Sequence, residues 1–593
     1  MSSPAEKLLN LRSAMKGGGI DMYIIPMSDP HLGEYIPEHW QIIRWLTGFT
    51  GSAGTVIVTD SQAGLWTDAR YFIQAVRQLS GSGFEFMRPG QYQRNDYMDF
   101  VVENVKPGDK IGIDGRIFQV SAFRRLEKRL EGKNVVIDSQ CDLVSPLWSG
   151  RPSLPFSMAF DHLAEYAGKT RAEKIGEVRV RMTKIKAGYH FLSSLDDIMW
   201  LLNIRGNDLQ YSPLLLCYAL IGPEQVLLFI EQARISPRLA AEFDRLGIVL
   251  LPYEEAAEII PAVTEVDSVL LNPQTTSVEL FQAISLKSSC IEDISIPTRL
   301  KSVKNRTEIA NIGKVMVKDG VALTRFFHWF ESNHGNIAMT EDSLSEKINE
   351  LRAQQEGFLK PSFETIVAFN ENSALPHYHA EQGSGSLIGD RGILLVDSGG
   401  QYYGGTTDIT RTLAIGIPSG QQITDFTLVL KGHINLALSK FPEGTRGYQL
   451  DLVARRAMWG SGLNFAHGTG HGIGYCLNVH EGPQSISPAD NKTAIEEGML
   501  TSNEPAIYRE GEYGIRTENL ILCYCDEETE FGKFLRFETV SLCYIDKLLI
   551  DKSLLDRSEI DWLNAYHAEV YDKLSPYLSD AERIWLKEKT EAI

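Results

Sequence analysis

The sequence predicts an α/β protein of several domains, with an α+β character in its later part. Three observations support this prediction. A chain of 593 residues is too long to form one hydrophobic core. A similar order of helix, Trp-Leu pair, glycine and strand occurs at residues 44–51 and again at 199–206. After about residue 297, a long helical period is followed by Gly-rich segments that hold acidic residues and histidines.

The first domain is predicted over residues 1–152. It opens with an amphipathic helix around residues 8–15, followed by strands at 22–26 and 54–59. Alternating strand and helix signals of this kind are typical of an α/β unit. The segment Asp-Pro-His-Leu-Gly-Glu-Tyr places His31, Glu34 and Tyr35 as candidates for lining an active-site entrance, although a structural role is the favoured interpretation.

The second domain is predicted over residues 153–297 as a duplicate of the first. Both copies have a helix-like segment before the Trp-Leu pair and a strand-like run after it, at residues 54–59 and 214–221. The repeat is too long for a solenoid, so it indicates two tandem domains. Gly, Pro and Ser cluster at residues 149–155, which predicts the linker there.

The third domain is predicted over residues 298–545, and a helical C-terminal extension over 546–593. Apolar residues at Val315, Val321, Leu323 and Phe326 follow a helical period at the start of this domain. All the motifs that carry chemistry lie after this point. The segment that follows residue 545 is helical and charged in pattern, so we expect it to pack on the third domain.

Composition excludes several classes of protein. The formal charge of −19 opposes non-specific nucleic-acid binding, which needs clustered Lys and Arg. No apolar run reaches membrane-spanning length and the N-terminus has no signal-type apolar region, so we expect no membrane contact and a cytoplasmic location. The seven cysteines lack metal-type spacing and are interpreted as buried thiols in a reducing compartment.

Asp397 and Asp408 lie at opposite ends of a Gly-rich hairpin. Residues 393–397 form one apolar strand, and residues 406–412 alternate with β-branched side chains. Pairing these strands brings the two carboxylates close together. In a partly buried site their repulsion must be offset by protonation or by a cation. Taken alone, the hairpin leaves metal binding and an ordinary acidic turn both open.

Histidines and glutamates follow in glycine-rich surroundings. His467 and His471 are separated by four positions with glycines between them, and His480 follows in Asn-Val-His-Glu-Gly-Pro. That glycine density opposes a regular helix and indicates a loop or strand with close backbone contacts. Glu504 precedes a proline, whereas Arg516 and Glu518 are two residues apart and are expected on one strand face.

The order Asp, Asp, His, Glu, Glu in these contexts resembles the metallopeptidase family that contains methionine aminopeptidase, prolidase and aminopeptidase P. The motifs that carry the resemblance are His-Gly-Thr-Gly-His-Gly-Ile-Gly (467–474), Asn-Val-His-Glu-Gly-Pro (478–483) and Thr-Ser-Asn-Glu-Pro (501–505). With its two N-terminal domains and helical tail, the whole chain resembles the three-domain cytosolic Xaa-Pro aminopeptidases. This resemblance implies two creatinase-type domains followed by a pita-bread catalytic domain.

The resemblance also implies a role for each site residue. The metal ligands would be Asp397, Asp408, His471, Glu504 and Glu518, with Asp408 and Glu518 bridging two ions. The catalytic residues would be Glu504, His377 and His480. The substrate-binding residues would be His377, His467, His480 and Arg516.

The implied reaction is hydrolysis of the N-terminal Xaa-Pro bond of peptides by a water shared between two divalent metal ions. Oxygen-rich ligation with one imidazole favours Mn²⁺, with Co²⁺, Fe²⁺ or Zn²⁺ as alternatives. The family further implies peptide substrates with proline at the second position and a homodimer.

Other functions share this ligand set or this fold. A prolidase would use the same ligands on dipeptides only, but it usually has one N-terminal domain. A methionine aminopeptidase generally lacks the long N-terminal half. A pita-bread binding module without enzymatic activity, or a metal-free creatinase, is disfavoured because all five ligands are present.

Overall fold

The computed structural model describes residues 2–88, 96–380 and 383–593. It divides into two compact units. The first unit comprises residues 1–161, 169–210 and 214–297, and the second comprises 162–168, 211–213 and 298–593. Among the described residues, none of the helices has the length and apolar character needed to cross a membrane.

The start of the first unit forms a six-stranded sheet with helices around it. Its helices are α1 (Pro4–Gly18), α2 (Ile42–Thr47), α3 (Phe72–Gln78), α4 (Tyr97–Asn104) and α5 (Val120–Leu130). Its strands are β1 (Met22–Pro26), β2 (Thr55–Thr59), β3 (Ala63–Trp66), β4 (Glu85–Phe86), β5 (Lys110–Ile113) and β6 (Val136–Asp138). The strand order is β4-β3-β2-β1-β5-β6. The predicted first helix and first strand are both present.

The next part of the chain builds a second sheet of six strands. Its helices are α6 (Ala164–Ala167), α7 (Arg171–Lys184), α8 (Leu195–Leu202), α9 (Pro237–Arg245), α10 (Ala256–Val263), α11 (Val278–Ser285) and α12 (Ile296–Ser302). Its strands, with the short pair β7 and β9, are β7 (Phe160–Asp161), β8 (Tyr189–Leu192), β9 (Ile204–Arg205), β10 (Tyr218–Ile221), β11 (Val226–Phe229), β12 (Ile248–Leu251), β13 (Ser268–Leu271) and β14 (Ser289–Glu292). The strand order is β12-β11-β10-β8-β13-β14.

The two sheets are copies of one plan. Strand β1 pairs antiparallel with β2 and parallel with β5, and β8 pairs in the same way with β10 and β13. The outer strands β4 and β12, and likewise β6 and β14, are also parallel to their neighbours. Trp45 lies on α2 and Trp200 on α8, each on the short helix that follows the first central strand. The predicted pair of tandem α/β domains is therefore confirmed.

The second unit combines long helices with several small antiparallel sheets. Its helices are α13 (Arg306–Asn333), α14 (Glu341–Ala353), α15 (Gly420–Ala437), α16 (Gly447–Gly460), α17 (Arg557–Leu574) and α18 (Asp580–Lys589). Its strands are β15 (Phe358–Pro361), β16 (Ile366–Phe369), β17 (Gly392–Ser398), β18 (Gly400–Tyr402), β19 (Gly405–Thr406), β20 (Ile409–Ile415), β21 (Lys440–Pro442), β22 (Gly470–His471), β23 (Ser485–Ile486), β24 (Leu500–Asn503), β25 (Ala506–Arg509), β26 (Tyr513–Arg516), β27 (Asn519–Thr529) and β28 (Gly532–Thr539).

Helix α13 confirms the predicted helical period. Asn305 caps it by accepting hydrogen bonds from the backbone N–H groups of Thr307 and Glu308. Its buried face includes Val315 and Phe326, and the core of this unit joins α13 to α14, β16, β17 and β20. That core lies behind the strands that carry Asp397 and Asp408, and so fixes their backbone.

The predicted hairpin between these aspartates has a different course. Strand β17 pairs with β20 so that Asp397 is opposite Thr410. Strands β18 and β19 come between them in the chain and belong to a separate sheet, in which β18 pairs with both β15 and β19. A Cβ at Gly399 would lie 2.0 Å from the Thr407 carbonyl oxygen, so only glycine allows this crossing. The strand expected over 406–412 is therefore interrupted, and Asp408 precedes β20.

Candidate metal centre

Asp397 and Asp408 form one side of a buried acidic cluster. Asp397 is the penultimate residue of β17 and Asp408 comes immediately before β20. They are 8% and 5% exposed, respectively. Because β17 and β20 are paired, the predicted approach of the two carboxylates follows from the register, despite the interruption of the hairpin.

The glycines around His471 allow backbone segments to touch. A Cβ at Gly470 would lie 1.9 Å from the Ser502 carbonyl oxygen, and one at Gly472 would lie 2.1 Å from the Glu481 carbonyl oxygen. These close contacts place the short strand β22 against β24 and the loop after His480. The predicted close backbone approach is confirmed.

Glu504 and Glu518 complete the cluster from two further segments. Glu504 follows β24, and its backbone N–H donates to the Thr469 carbonyl. Glu518 lies between β26 and β27, where its N–H donates to the Thr410 carbonyl. The expectation that Arg516 and Glu518 share one strand is wrong, because β26 ends at Arg516 and β27 begins at Asn519.

The side chains of these acidic residues and of His471 converge on one point. His471 Nε2 lies 3.5 Å from Asp408 Oδ2 and 3.5 Å from Glu504 Oε1. Asp408, His471 and Glu518 can each offer a ligand atom, with these atoms all within 4.8 Å of one another. The folded chain thus collects on one site residues from positions more than a hundred apart.

The electrostatics show an excess of negative charge. Burial raises the pKa of Glu504 to about 7, against the opposing charges of His471 and Arg516. Burial, reinforced by repulsion from Asp408 and Glu504, raises the pKa of Glu518 well above its ordinary value. Burial and the Asp408 charge also raise the pKa of Asp397, even though Arg516 opposes the shift.

The pKa of His471 is also raised, although burial acts on it in the opposite direction. Burial alone would lower the pKa of its imidazole, but the hydrogen bond to Asp408 and the charges of Glu504 and Asp408 raise that pKa to about 9. Without a metal ion, the cluster therefore binds protons to relieve its repulsion.

Arg516 and Tyr508 lie directly behind the acidic cluster. Arg516 donates from Nη2 to Asp397 Oδ2 (2.5 Å), from Nε to Thr410 Oγ1 (3.0 Å) and from Nη1 to the Tyr508 hydroxyl (2.7 Å). His467 Nε2 lies 2.9 Å from that hydroxyl. Tyr508 thus joins His467 to Arg516, which itself bonds Asp397 directly.

The other two histidines lie on different segments. The His480 ring is 4.3 Å from the His471 ring in an edge-to-face arrangement. His377 is half-buried on the loop that follows residues 370–374. The structure therefore brings His480 next to a candidate ligand, whereas His377 lies on a separate loop.

The residues present fit a pair of divalent cations. Asp397 Oδ1 is buried and accepts no hydrogen bond from any residue within 2–88, 96–380 or 383–593. Four carboxylates face one arginine and one histidine, which leaves negative charge that protein groups do not balance. Carboxylate oxygens with one imidazole nitrogen suit hard or borderline divalent ions.

The sequence interpretation missed three supporting side chains. Thr410 donates to Glu518 Oε2 (2.7 Å), Ser502 accepts from the His471 N–H (2.9 Å) and donates to Glu504 Oε1 (3.3 Å), and Tyr508 joins His467 to Arg516. Thr410 is two residues after Asp408 and Ser502 two before Glu504. The sequence signal for both is therefore a hydroxyl side chain two positions from a candidate ligand.

Sequence comparisons cover the whole chain. Residues 310–524 match the model of metallopeptidase family M24, and residues 533–593 match its C-terminal region. Residues 7–141 and 150–308 each match a creatinase/prolidase N-terminal domain. A probable Xaa-Pro aminopeptidase P from Laccaria bicolor is 37% identical over 98% of this chain and 92% of its own length. Aminopeptidase P2 from Arabidopsis thaliana is 36% identical over 99% and 88%.

Solved structures give the same picture. An X-prolyl aminopeptidase from Caenorhabditis elegans, described as a cytosolic enzyme with a di-nuclear active site, matches with a TM-score of 0.95 and 34% identity over 100% of both chains. A prolidase from Pyrococcus horikoshii matches 63% of this chain with a TM-score of 0.50 and 24% identity, which supports the fold alone.

Proposed function

The chain belongs to the Xaa-Pro aminopeptidase P group of metallopeptidase family M24, and on this premise we propose that it removes the first residue of peptides whose second residue is proline. The observation that carries the proposal is the buried convergence of Asp408, His471 and Glu518, with Asp397 and Glu504 beside them. Their unbalanced charge supports a site for two divalent ions, as in the di-nuclear relative.

Asp397, Asp408, His471, Glu504 and Glu518 would hold the two ions. When bound, such ions lower the pKa of a water molecule and polarise a carbonyl group. Mn²⁺ is the proposed metal, because the ligand atoms are mostly carboxylate oxygens. Reconstituting the metal-free protein with Mn²⁺, Co²⁺, Fe²⁺ or Zn²⁺ tests this choice. The highest turnover with a metal other than Mn²⁺ would contradict it.

The protein side chains would handle the protons and the developing charge. Glu504 Oε1, which lies 3.5 Å from His471 Nε2, would accept a proton and release it to the departing amine. His480 and His377 would donate hydrogen bonds to the carbonyl oxygen as negative charge develops there. Arg516 and His467 would support substrate binding through the Tyr508 connection.

Proline selectivity has a chemical reason. An Xaa-Pro bond is a tertiary amide without an N–H, and the ring fixes the backbone angle φ. A site that accepts it needs no partner for an amide N–H.

The substrate test compares three peptides. An Arg-Pro-Pro peptide should lose its N-terminal Arg, whereas the corresponding Arg-Ala-Pro peptide should be cleaved far more slowly. An Xaa-Pro dipeptide separates this function from that of a prolidase. Cleavage of dipeptides alone would overturn the proposal in favour of a prolidase, and no cleavage of any of the three would favour a binding module.

We also propose the domain boundaries 1–152, 153–297, 298–545 and 546–593. The repeated strand order supports the first two domains, and the four matched segments fall close to these limits. A cytoplasmic location is proposed because the C. elegans relative is described as cytosolic. Fractionation of the source cells tests that location, and recovery of the protein with a membrane or organelle fraction would contradict it.

A homodimer is proposed, with support from one exposed helix face. Tyr448, Leu452 and Trp459 of α16 are 42%, 51% and 50% exposed. Their spacing of four and seven residues places them on one side of the helix. Leu452→Asp should shift the protein from dimer to monomer in light scattering, whereas Leu9→Asp, at an exposed leucine on α1, should not. A wild-type monomer would contradict the proposal.

A further inference from the structure

Glu341, the first residue of α14, is a buried carboxylate surrounded by donors. It is 1% exposed. Oε1 accepts from the Phe369 N–H (2.7 Å) and from Asn372 Nδ2 (2.9 Å). Oε2 accepts from the Tyr378 hydroxyl (2.7 Å) and from the Ser386 N–H (2.8 Å). One side chain thus binds the start, the middle and the end of the segment that carries His377.

This arrangement is not needed to cap the helix. Thr340 is the N-cap of α14 and forms a reciprocal capping box with Ser343. Glu341 therefore does not cap the helix, although acidic residues in a first helical turn often interact with its N-terminus. Hydrogen bonds to an ionised carboxylate are about twice as strong as neutral ones, so four of them hold the surrounding segment firmly.

Tyr378 connects this carboxylate to the sheet below the metal centre. Its ring packs against Ile366, Ala368 and Leu395 of β16 and β17. Ile366 is paired with Asp397, and Ala368 with Leu395, so these residues lie on the sheet face that also carries Asp397. The hydroxyl of Tyr378 is fixed by Glu341 and its ring by the Asp397 strand.

We propose that Glu341 and Tyr378 are positioning residues for the substrate-contacting His377, which they hold at a fixed height above the Asp397 face. His377 immediately precedes Tyr378, so a shift of the tyrosine ring moves the histidine backbone with it. The inference rests on the proposed role of His377 and adds to it the residues through which the fold sets its place.

Removing the Tyr378 hydroxyl should make the position of His377 less well fixed without disturbing the metal ligands. Tyr378→Phe keeps the ring packing and leaves Glu341 one donor short, so kcat/KM should fall by about 10-fold while metal content stays at the wild-type level. Glu341→Gln should cost more, because its amide can present N–H groups to a neighbourhood of donors. Tyr577→Phe, at an exposed tyrosine, is the matched control and should leave kcat/KM unchanged.

A double-mutant cycle decides between positioning and general damage. If Tyr378 acts through His377, then Tyr378→Phe should have little further effect on kcat/KM once His377→Ala is present. An equal 10-fold loss in both backgrounds would overturn the positioning role while leaving His377 in place. Full activity of His377→Ala would overturn the proposed role of the histidine and this inference together. Unchanged activity of Tyr378→Phe in the wild-type background would overturn the inference alone.

Discussion

The N-terminal unit (the first unit) and the acidic cluster of the second unit differ in how the charge of their buried carboxylates is compensated. In the N-terminal unit, Asp208 is fully buried and has its own cation, Arg234, at 2.5 Å. It also accepts from the Ser157 hydroxyl and the Leu216 N–H. Among the described residues of the second unit, Asp397, Asp408, Glu504 and Glu518 face Arg516 and the imidazole of His471. The charge of Asp208 is matched by one arginine, whereas the four carboxylates outnumber the cations that face them.

Buried histidines show the same difference. Burial lowers the pKa of His190 to about 4, and its ring is held as the neutral form between the Leu270 carbonyl and the Ile296 N–H. His31, offered by the sequence as a candidate for the entrance, is likewise buried, and burial lowers its pKa to about 4. His471 is less enclosed, with 21% of its side chain exposed, and its acidic neighbours raise its pKa to about 9. A buried histidine without acidic neighbours indicates a structural role. A histidine among carboxylates that lack enough counter-charge indicates a ligand site.

The largest expected effect concerns turnover. Asp408→Asn removes one candidate ligand while keeping the side-chain shape, so Xaa-Pro cleavage should fall by about 10³-fold or more and metal content should drop. Asp208→Asn is the isosteric control, and its folded fraction should retain wild-type metal content. Peptide cleavage and elemental analysis measure both quantities. Normal turnover in Asp408→Asn would show that Asp408 is no more important for catalysis than the structural residue Asp208.

Stability should respond most strongly at the structural pair. Asp208→Asn leaves the Arg234 guanidinium buried without its counter-charge, so the free energy of unfolding should fall by about 3–5 kcal/mol. Urea unfolding of the metal-free protein, followed by fluorescence, measures this loss. A loss below about 1 kcal/mol would show that Asp208 is not essential to the N-terminal unit.

The two regions should lose stability at opposite ends of the pH range when metal is removed. The folded-state pKa of His471 is raised, so its stabilisation is complete below about pH 6.5 and is lost as pH rises through about 9. The folded-state pKa of His190 is depressed, so its stabilisation is present above about pH 6.5 and is lost as pH falls through about 4. Each shift corresponds to about 3 kcal/mol.

Hydrogen exchange resolves this pH effect by region. In chelator, peptides around His471 should exchange faster at pH 9 than at pH 6.5, and peptides of β8 should exchange faster at pH 5 than at pH 6.5, after correction for intrinsic rates. Added metal should abolish the alkaline effect only. The same pH trend in both regions would remove the electrostatic distinction between them.

The smallest expected effect is on the stability of the metal-free protein. There, Asp408→Asn relieves the repulsion that Asp408 exerts on Glu518 but also removes its hydrogen bond and charge from His471, so the two contributions should offset each other and the free energy of unfolding should change by about 1 kcal/mol or less. Asp208→Asn should lower it by more under the same conditions. Chemical unfolding in chelator compares the two variants directly. A loss of about 3 kcal/mol or more in Asp408→Asn would indicate that Asp408 is a structural residue like Asp208.

The sequence predicted the tandem α/β domains because the repeated Trp-Leu order reflects a repeated strand plan. The motifs around His471 and Glu504 carried the family resemblance that implied the ligands, and the glycines around His471 predicted the close backbone approach. The crossing at Gly399 could not be predicted, since it depends on Thr407 and on the pairing of β18 with β15. The hydrogen bonds of Glu341 could not be predicted either, because their donors are 28–45 residues away along the chain.

Metal stoichiometry distinguishes the two units, because the acidic cluster of the second unit should bind two divalent ions and the N-terminal unit should bind none. Metal-free protein should be titrated with Mn²⁺ and examined by native mass spectrometry, with peptide cleavage followed in parallel. Two ions per chain in the wild type, and fewer than two in Asp408→Asn, are the predicted results. One ion per chain at full activity, or two ions retained by Asp408→Asn, would contradict a two-ion site that depends on Asp408.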